Sequence, residues 1–226
     1  GRALLIAPGS CAVNCRYCFR RHFPYATETA AADRWRQAVA QLRADASIGD
    51  VLLSGGDPLS LSTPKLAELT TALATIPHLR RLRIHTRLPV VLPGRIDGEF
   101  LDWFGALPFQ RVVVLHANHP HEIDDAVDLA CAGLREAGGT VLNQSVLLRA
   151  VNDDADVLCA LSERLFAAQV LPYYLHQLDR VAGAAHFEVA DARALSLLET
   201  MRARLPGYLV PRLVRELAGA AHKLPL

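Results

Sequence analysis

Short apolar runs recur along the chain at 3–7, 51–53, 82–85, 112–115, 141–143 and 170–172. Between them lie segments of helical period at 33–44, 63–75, 98–104, 124–136 and 154–168, where apolar residues return every three to four positions. Strand runs this short and this continuously apolar suit a parallel sheet covered by helices. The repeated alternation predicts an α/β fold, a partial (β/α)6 TIM-like barrel, with a doubly wound open sheet as the alternative. In either architecture ligands gather beyond the carboxyl ends of the strands. A last helix at 190–204 leads through Pro206 and Gly207 into the apolar segment YLVPRLV. The expected organisation is a barrel over 1–189 and, in the same compact unit, a C-terminal helix, strand and loop over 190–226. The first residues, RALLIAP, already read as a strand, so an N-terminal region is expected to be missing.

Composition narrows the class. At 226 residues and 51% hydrophobic content, the chain has ample apolar material for one large domain, against a prior of roughly 100–200 residues. No apolar run approaches the roughly 20 residues of a membrane span. A net charge of +1 gives no bulk footprint for nucleic acid, and no signal peptide precedes the first strand. The expectation is a cytoplasmic protein with neither membrane nor nucleic acid as partner. Cys131 and Cys159 sit among alanine and leucine in helical segments and read as small core residues, with no disulfide framework.

The other three cysteines carry chemistry. Cys11, Cys15 and Cys18 lie in CAVNCRYCFRR, and thiolates so closely spaced can hold an iron–sulfur cluster, which usually takes four of them. Three ligands on a four-iron cube leave one iron open to a reacting ligand. A zinc knuckle completed by His22 is the alternative. The segment SGGDPL, residues 54–59, follows the second strand directly. Its two glycines allow close backbone approach to a ligand, and its amides with Asp57 suit a charged amino-acid end. An ordinary strand-to-helix turn is the plainer reading.

The cysteine spacing resembles the signature of radical S-adenosylmethionine (SAM) enzymes, in which SAM chelates the open iron of a [4Fe-4S] cluster. SGGDPL resembles their segment for the methionine end of SAM. With IHTRLPVVLPGRI at 84–96, NHPHE at 118–122, NQSVLLRAVND at 143–153 and LPYYLHQLDRVAGAAHF at 171–187, the chain resembles the lysine 2,3-aminomutase family, which also uses pyridoxal 5'-phosphate (PLP). LPYYLH, GAAHF and GYLVPRLVRELAG resemble the bacterial branch serving elongation factor P β-lysylation. That resemblance implies isomerisation of L-lysine to (R)-β-lysine and an indirect link to elongation factor P and its lysyl-transferring ligase.

The resemblance also implies roles for individual residues. PLP needs one lysine for its Schiff base, and the chain has only Lys65 and Lys223. Lys65 reads as a solvated helix-start residue, and Lys223 matches the family's catalytic lysine, although its loop keeps only Gly219. Cys11, Cys15 and Cys18 match the cluster ligands, and Ser54, Gly55, Gly56, Asp57, His119 and Gln144 match SAM- or PLP-facing positions. Arg20 matches the arginine for the substrate α-carboxylate, and Arg2 a position near the PLP phosphate. Asp179 and Glu216 match the carboxylates that hold the lysine ε-ammonium. Glu216 stands where the lysine mutases have Asp, and a salt bridge to Arg212 or Arg215 is its plainer reading. One of Tyr173 and Tyr174 should turn to the helical layer while the other flanks PLP. Asp154 replaces the cysteine of a clostridial intersubunit zinc site, so that zinc is not expected. A homo-oligomer stays open. The rival readings are an arginine or glutamate 2,3-aminomutase, a radical SAM protein without PLP, and a non-enzymatic metal-binding module.

Overall fold

The structure, a computed structural model, describes residues 1–21, 23, 32–217 and 219–226. Six strand–helix units follow one another: β1 (Arg2–Ile6) and α1 (Ala32–Ala44), β2 (Asp50–Ser54) and α2 (Thr63–Ala74), β3 (Arg81–Thr86) and α3 (Gly98–Gly105), β4 (Gln110–Leu115) and α4 (Asp125–Glu136), β5 (Gly139–Val146) and α5 (Ala155–Ala167), and β6 (Leu171–His176) and α6 (Asp191–Arg204). Two more strands, β7 (Arg212–Arg215) and β8 (Leu224–Pro225), complete the sheet. Strand order is sequential from β1 to β8, parallel through β7 and antiparallel only at β7–β8. A doubly wound sheet would reverse its strand order at a switch point. Sequential order with right-handed crossovers keeps every helix on the same face, which is the partial-barrel arrangement.

Alternation along the strands sorts the two faces. In β2, Val51 and Leu53 are fully buried while Asp50, Leu52 and Ser54 are half-buried; in β3, Leu82, Ile84 and Thr86 are buried while Arg83 and His85 are half-buried. The buried set packs outward onto the helices with Leu66, Leu69, Leu73, Phe100, Phe104 and Leu134. A second cluster, including Leu158, Leu175, Leu197, Met201 and Leu213, lies under α5 and α6. Burying such a side chain contributes about 1.5–3 kcal/mol. The half-buried set faces the barrel interior and is largely polar. The sheet therefore has a dry outer face and a wet inner one.

Helix starts are fixed by acidic caps. Asp97 accepts from Phe100 N at 2.8 Å, Asp124 from Val127 N at 3.0 Å, and Asp154 from Asp156 N at 2.8 Å. Asp154 thus has a local structural task at the position compared above with a zinc ligand. Among the described residues, no helix is long and apolar enough to cross a membrane.

Candidate active site

A cleft of about 230 Å³ opens at the carboxyl ends of the strands. Into it project Cys11, Cys15, Cys18 and Arg20 after β1, residues 54–57 after β2, His85 and Arg87 at β3, His116 after β4, Gln144 on β5, His176 and Asp179 at β6, and Glu216 and Lys223 around β7 and β8. The fold thus gathers residues from both ends of the sequence at one mouth. A larger hollow of about 420 Å³, between α6 and β7–β8, contains no thiol and shares only Lys223 with the cleft.

The thiol end comes first. All three cysteines are free, Cys11 exposed and the other two half-buried. A short turn holds them, with Cys18 N donating to Cys15 O at 3.2 Å and Arg21 N to Cys18 O at 3.1 Å. Burial pushes the Cys11 thiol up, and the nearby Asp57 adds to this. Among the described residues no three His, Cys, Asp or Glu side chains converge as a single-ion cage, and His22 lies outside those residues. Cys131 and Cys159 are buried in α4 and α5, where sequence places them, and burial pushes Cys131 up to about 11.

The glycine segment lines the cleft and also has a structural task. The Gly56 and Asp57 amides are already engaged, donating at 2.9 Å to Pro8 O and Ser10 O. A Cβ on Gly56 would lie 2.0 Å from Ser10 O, and one on Gly55, whose φ is +123°, 2.6 Å from Pro8 O. The glycines therefore let the cysteine-bearing loop dock directly on the end of β2. Asp57 is likewise committed to the frame. One carboxylate oxygen accepts from Thr86 Oγ1 at 2.6 Å and Leu59 N at 3.0 Å, the other from Arg87 N at 2.6 Å. Burial raises its pKa against the pull of these hydrogen bonds. Arg20 crosses to the same strand end, donating through Nη1 to Ser54 Oγ at 2.6 Å and Gly55 O at 2.9 Å. Its guanidinium also lies over the Phe19 ring, 4.8 Å from the ring centre.

At the opposite wall, Lys223 Nζ pairs with Glu216 Oε1, meets His176 Nε2 at 3.1 Å, and lies 5.1 Å from the centre of the Tyr174 ring. Burial, then the Lys223 charge, holds His176 down to about 3. It is therefore neutral at pH 7, and its Nε2 accepts from the lysine ammonium. Asp179 is pushed up by burial and by Glu216, while Lys223 pulls it down. Glu216 thus pairs with the ammonium directly, while Asp179 lies near enough to feel both charges. The Glu216 partner is Lys223; Arg215 pairs instead with Asp191. Arg2 reaches across the barrel gap from β1, donating to Ala221 O at 3.2 Å, so its cationic head sits next to the Lys223 loop.

Between the two ends the floor is buried and polar. Burial, and then its neighbours His176 and Arg87, hold His116 down to about 3; burial and His116 hold His85 well below the usual histidine range. Gln144 Nε2 lies 3.2 Å from His116 Nε2, while Gln144 Oε1 and His85 Nε2 are buried with no partner among the described residues. Unpaired buried polar atoms are costly unless something meets them, so these two fit a ligand with donors and acceptors. Leu4, Val13 and Phe19, 49%, 47% and 53% exposed, line the same cleft and offer it an apolar wall.

Two expected residues are placed differently. His119 does not line the cleft; its Nδ1 accepts from His121 N at 3.2 Å, capping the short turn Pro120–Glu122. Tyr174 is the tyrosine beside Lys223, but it also borders a small hollow under α5 and α6, and the Tyr173 ring tilts against it at 3.9 Å. The strict division of the pair between two layers does not hold.

Sequence reading missed Arg87, Tyr17 and Glu122, three members of one hydrogen-bonded network beside Cys15. Arg87 lies inside the quoted segment 84–96 and Glu122 ends NHPHE, but nothing in their local patterns ties them to the thiols.

No family model matches the chain. It is 50% identical over 222 residues to the L-lysine 2,3-aminomutase of Haemophilus influenzae, covering 98% of this chain and 66% of that protein. It is 49% identical over 225 residues to the L-lysine 2,3-aminomutase of Escherichia coli, covering 100% and 66%. The chain therefore spans slightly under two thirds of the length of these relatives. Among solved structures, a radical SAM methyltransferase from Sphaerobacter thermophilus superposes with a TM-score of 0.67 at 18% identity, covering 95% of this chain and 66% of that one. At that identity the likeness shows the fold.

Proposed function

We propose that this chain, which belongs to the lysine 2,3-aminomutase family, carries the catalytic barrel of an isomerase that moves the α-amino group of L-lysine to its β-carbon. The observation that carries the proposal is the arrangement of one cleft, with three free thiols at one wall, a lysine paired with Glu216 and near Asp179 at the other, and an arginine at the glycine segment.

The residues fit three cofactors. Cys11, Cys15 and Cys18 would hold a [4Fe-4S] cluster. The unpaired Gln144 Oε1 and His85 Nε2, with the apolar wall of Leu4, Val13 and Phe19, would meet SAM. Lys223 would hold PLP, with Arg2 near its phosphate. When bound, the cluster and SAM supply a carbon radical able to take hydrogen from an unactivated carbon, and PLP supplies a conjugated ring that spreads an unpaired electron.

The chain's own groups do the binding and orienting. Arg20, anchored on Ser54 and Gly55, takes the α-carboxylate; this requires a free carboxyl group and so favours the free amino acid over a lysine within a protein. Asp179 and Glu216 take the ε-ammonium, and their combined charge rejects the carboxylate side chain of glutamate. Neutral His176 directs Lys223 without adding a second cation. With the substrate held at both ends, its α- and β-carbons are fixed relative to the reacting groups. We extend the proposal to the product (R)-β-lysine, its later attachment to elongation factor P, and work in the cytoplasm, on the resemblance of LPYYLH, GAAHF and GYLVPRLVRELAG.

Asp179→Asn tests the substrate assignment. Truncating one partner of a buried charge pair costs about 2–5 kcal/mol, so kcat/KM for lysine should fall at least about thirty-fold. PLP loading and iron content should stay at wild-type levels. Unchanged lysine kinetics would remove Asp179 from the site.

A further inference from the structure

Arg87 stands just past β3, where its guanidinium joins segments far apart in sequence. Nη1 donates to Cys15 Sγ at 3.3 Å and to the Tyr17 hydroxyl at 2.6 Å, and Nη2 meets Glu122 Oε2 at 2.5 Å. The network is held from behind. Tyr17 accepts a second hydrogen bond from Asn118 Nδ2 at 2.5 Å, and Glu122 Oε1 accepts from the backbone N–H groups of Asn118 at 2.7 Å and His119 at 2.9 Å. The Arg87 amide is tied to Asp57. The Arg87 and Glu122 side chains are 22% and 23% exposed, so water screens their charges less than at the surface. No step of lysine binding uses this network.

We propose that Arg87, with Glu122 as its counter-charge, sets the reduction potential of the cluster held by Cys11, Cys15 and Cys18. The inference rests on the cluster reading above. Reduction adds one electron from a low-potential one-electron donor, such as a reduced ferredoxin or dithionite, to the [4Fe-4S] cluster, lowering its charge from +2 to +1; no proton moves. A guanidinium hydrogen-bonded to a ligand sulfur stabilises the more negative state and raises the potential, since hydrogen bonds to the sulfurs and net charge are what tune such clusters. Glu122 works in the opposite sense, offsetting the guanidinium charge while fixing its position. Arg87 is thus a positioning residue for the electron-transfer step.

The test is an EPR-monitored redox titration of anaerobically reconstituted protein, with iron and sulfide assayed in every variant. Arg87→Met should lower the midpoint by at least tenfold in the one-electron equilibrium, about 59 mV. Glu122→Gln should raise it, because glutamine still accepts from the 118 and 119 amides but no longer offsets the cation. Opposite signs are a signature that general loosening of the loop would not produce. If Arg87→Met fails to hold a cluster, Arg87→Lys, with its charge kept but its fork lost, should show a smaller drop, and Glu122→Gln its rise. Unchanged potentials, or shifts of the same sign in the Arg87 and Glu122 variants, would overturn the inference. A wild-type protein without any cluster signal would instead overturn the reading on which it rests.

Discussion

Replacing Cys11, Cys15 or Cys18 with alanine is expected to abolish SAM cleavage completely. Each thiol lines the cleft and none is tied up in a disulfide. A cube already one protein ligand short of the usual four has no thiolate to spare. Iron content and the absorbance of the reconstituted cluster should fall with the activity in all three variants. Cys131→Ala and Cys159→Ala are the controls. Both thiols are buried in helices on the outer face of the sheet, so these changes should cost packing and leave the cluster and SAM cleavage intact. Equal loss of cluster from a control and from a member of the trio would break the ligand assignment.

The second large effect concerns Lys223. The chain contains two lysines, and their settings differ. Lys65 is exposed at the start of α2, whereas Lys223 is clasped by Glu216 and His176 at the cleft. PLP added to the protein and trapped with borohydride should therefore mark Lys223 in peptide mapping and leave Lys65 largely unmarked. Lys223→Ala should lose PLP binding and isomerisation together. Iron content and SAM binding should persist, because the thiols lie on the opposite wall and Gln144 and His85 on the floor between. Label on Lys65 alone, or none at all, would remove PLP from the account and leave a radical SAM barrel of another reaction.

The apolar periodicity located all six strand–helix units, but it ended some strands too early for a physical reason. The run at 141–143 stops where β5 continues through Gln144, Ser145 and Val146. Gln144 faces the polar cleft, and Ser145 is turned outward to hydrogen-bond Ala117 O at 2.8 Å. In the same way β6 runs past Pro172 to His176, whose ring lies on the cleft floor. Inner-face positions are polar because they build the site, so hydrophobicity underreports the strands that carry it. β8 is only two residues long, too short to leave any periodic signal.

The site itself was legible where chemistry is written into close spacing, as with the cysteine trio, or into scarcity, as with two lysines. Bringing Arg20, Asp179, Glu216 and Lys223 to one cleft depends on the barrel, and only the family resemblance anticipated it. One task of the glycine segment was not legible: its close backbone approach also admits the Pro8–Ser10 backbone, besides lining the cleft. The Arg87 network was invisible for a different reason. The partners in its side chain–side chain links are separated by 35 to 101 positions, and only the folded β3 and β4 ends bring them together.

The central claim is most directly tested by incubating anaerobically reconstituted protein, loaded with PLP, with SAM, dithionite and L-lysine, and resolving the amino acids by chromatography against authentic standards. The account predicts conversion of L-lysine to β-lysine, dependent on SAM and reductant, with arginine and glutamate left unchanged. Protein that holds its cluster and PLP and cleaves SAM, yet returns lysine unaltered or rearranges a different amino acid, would contradict it.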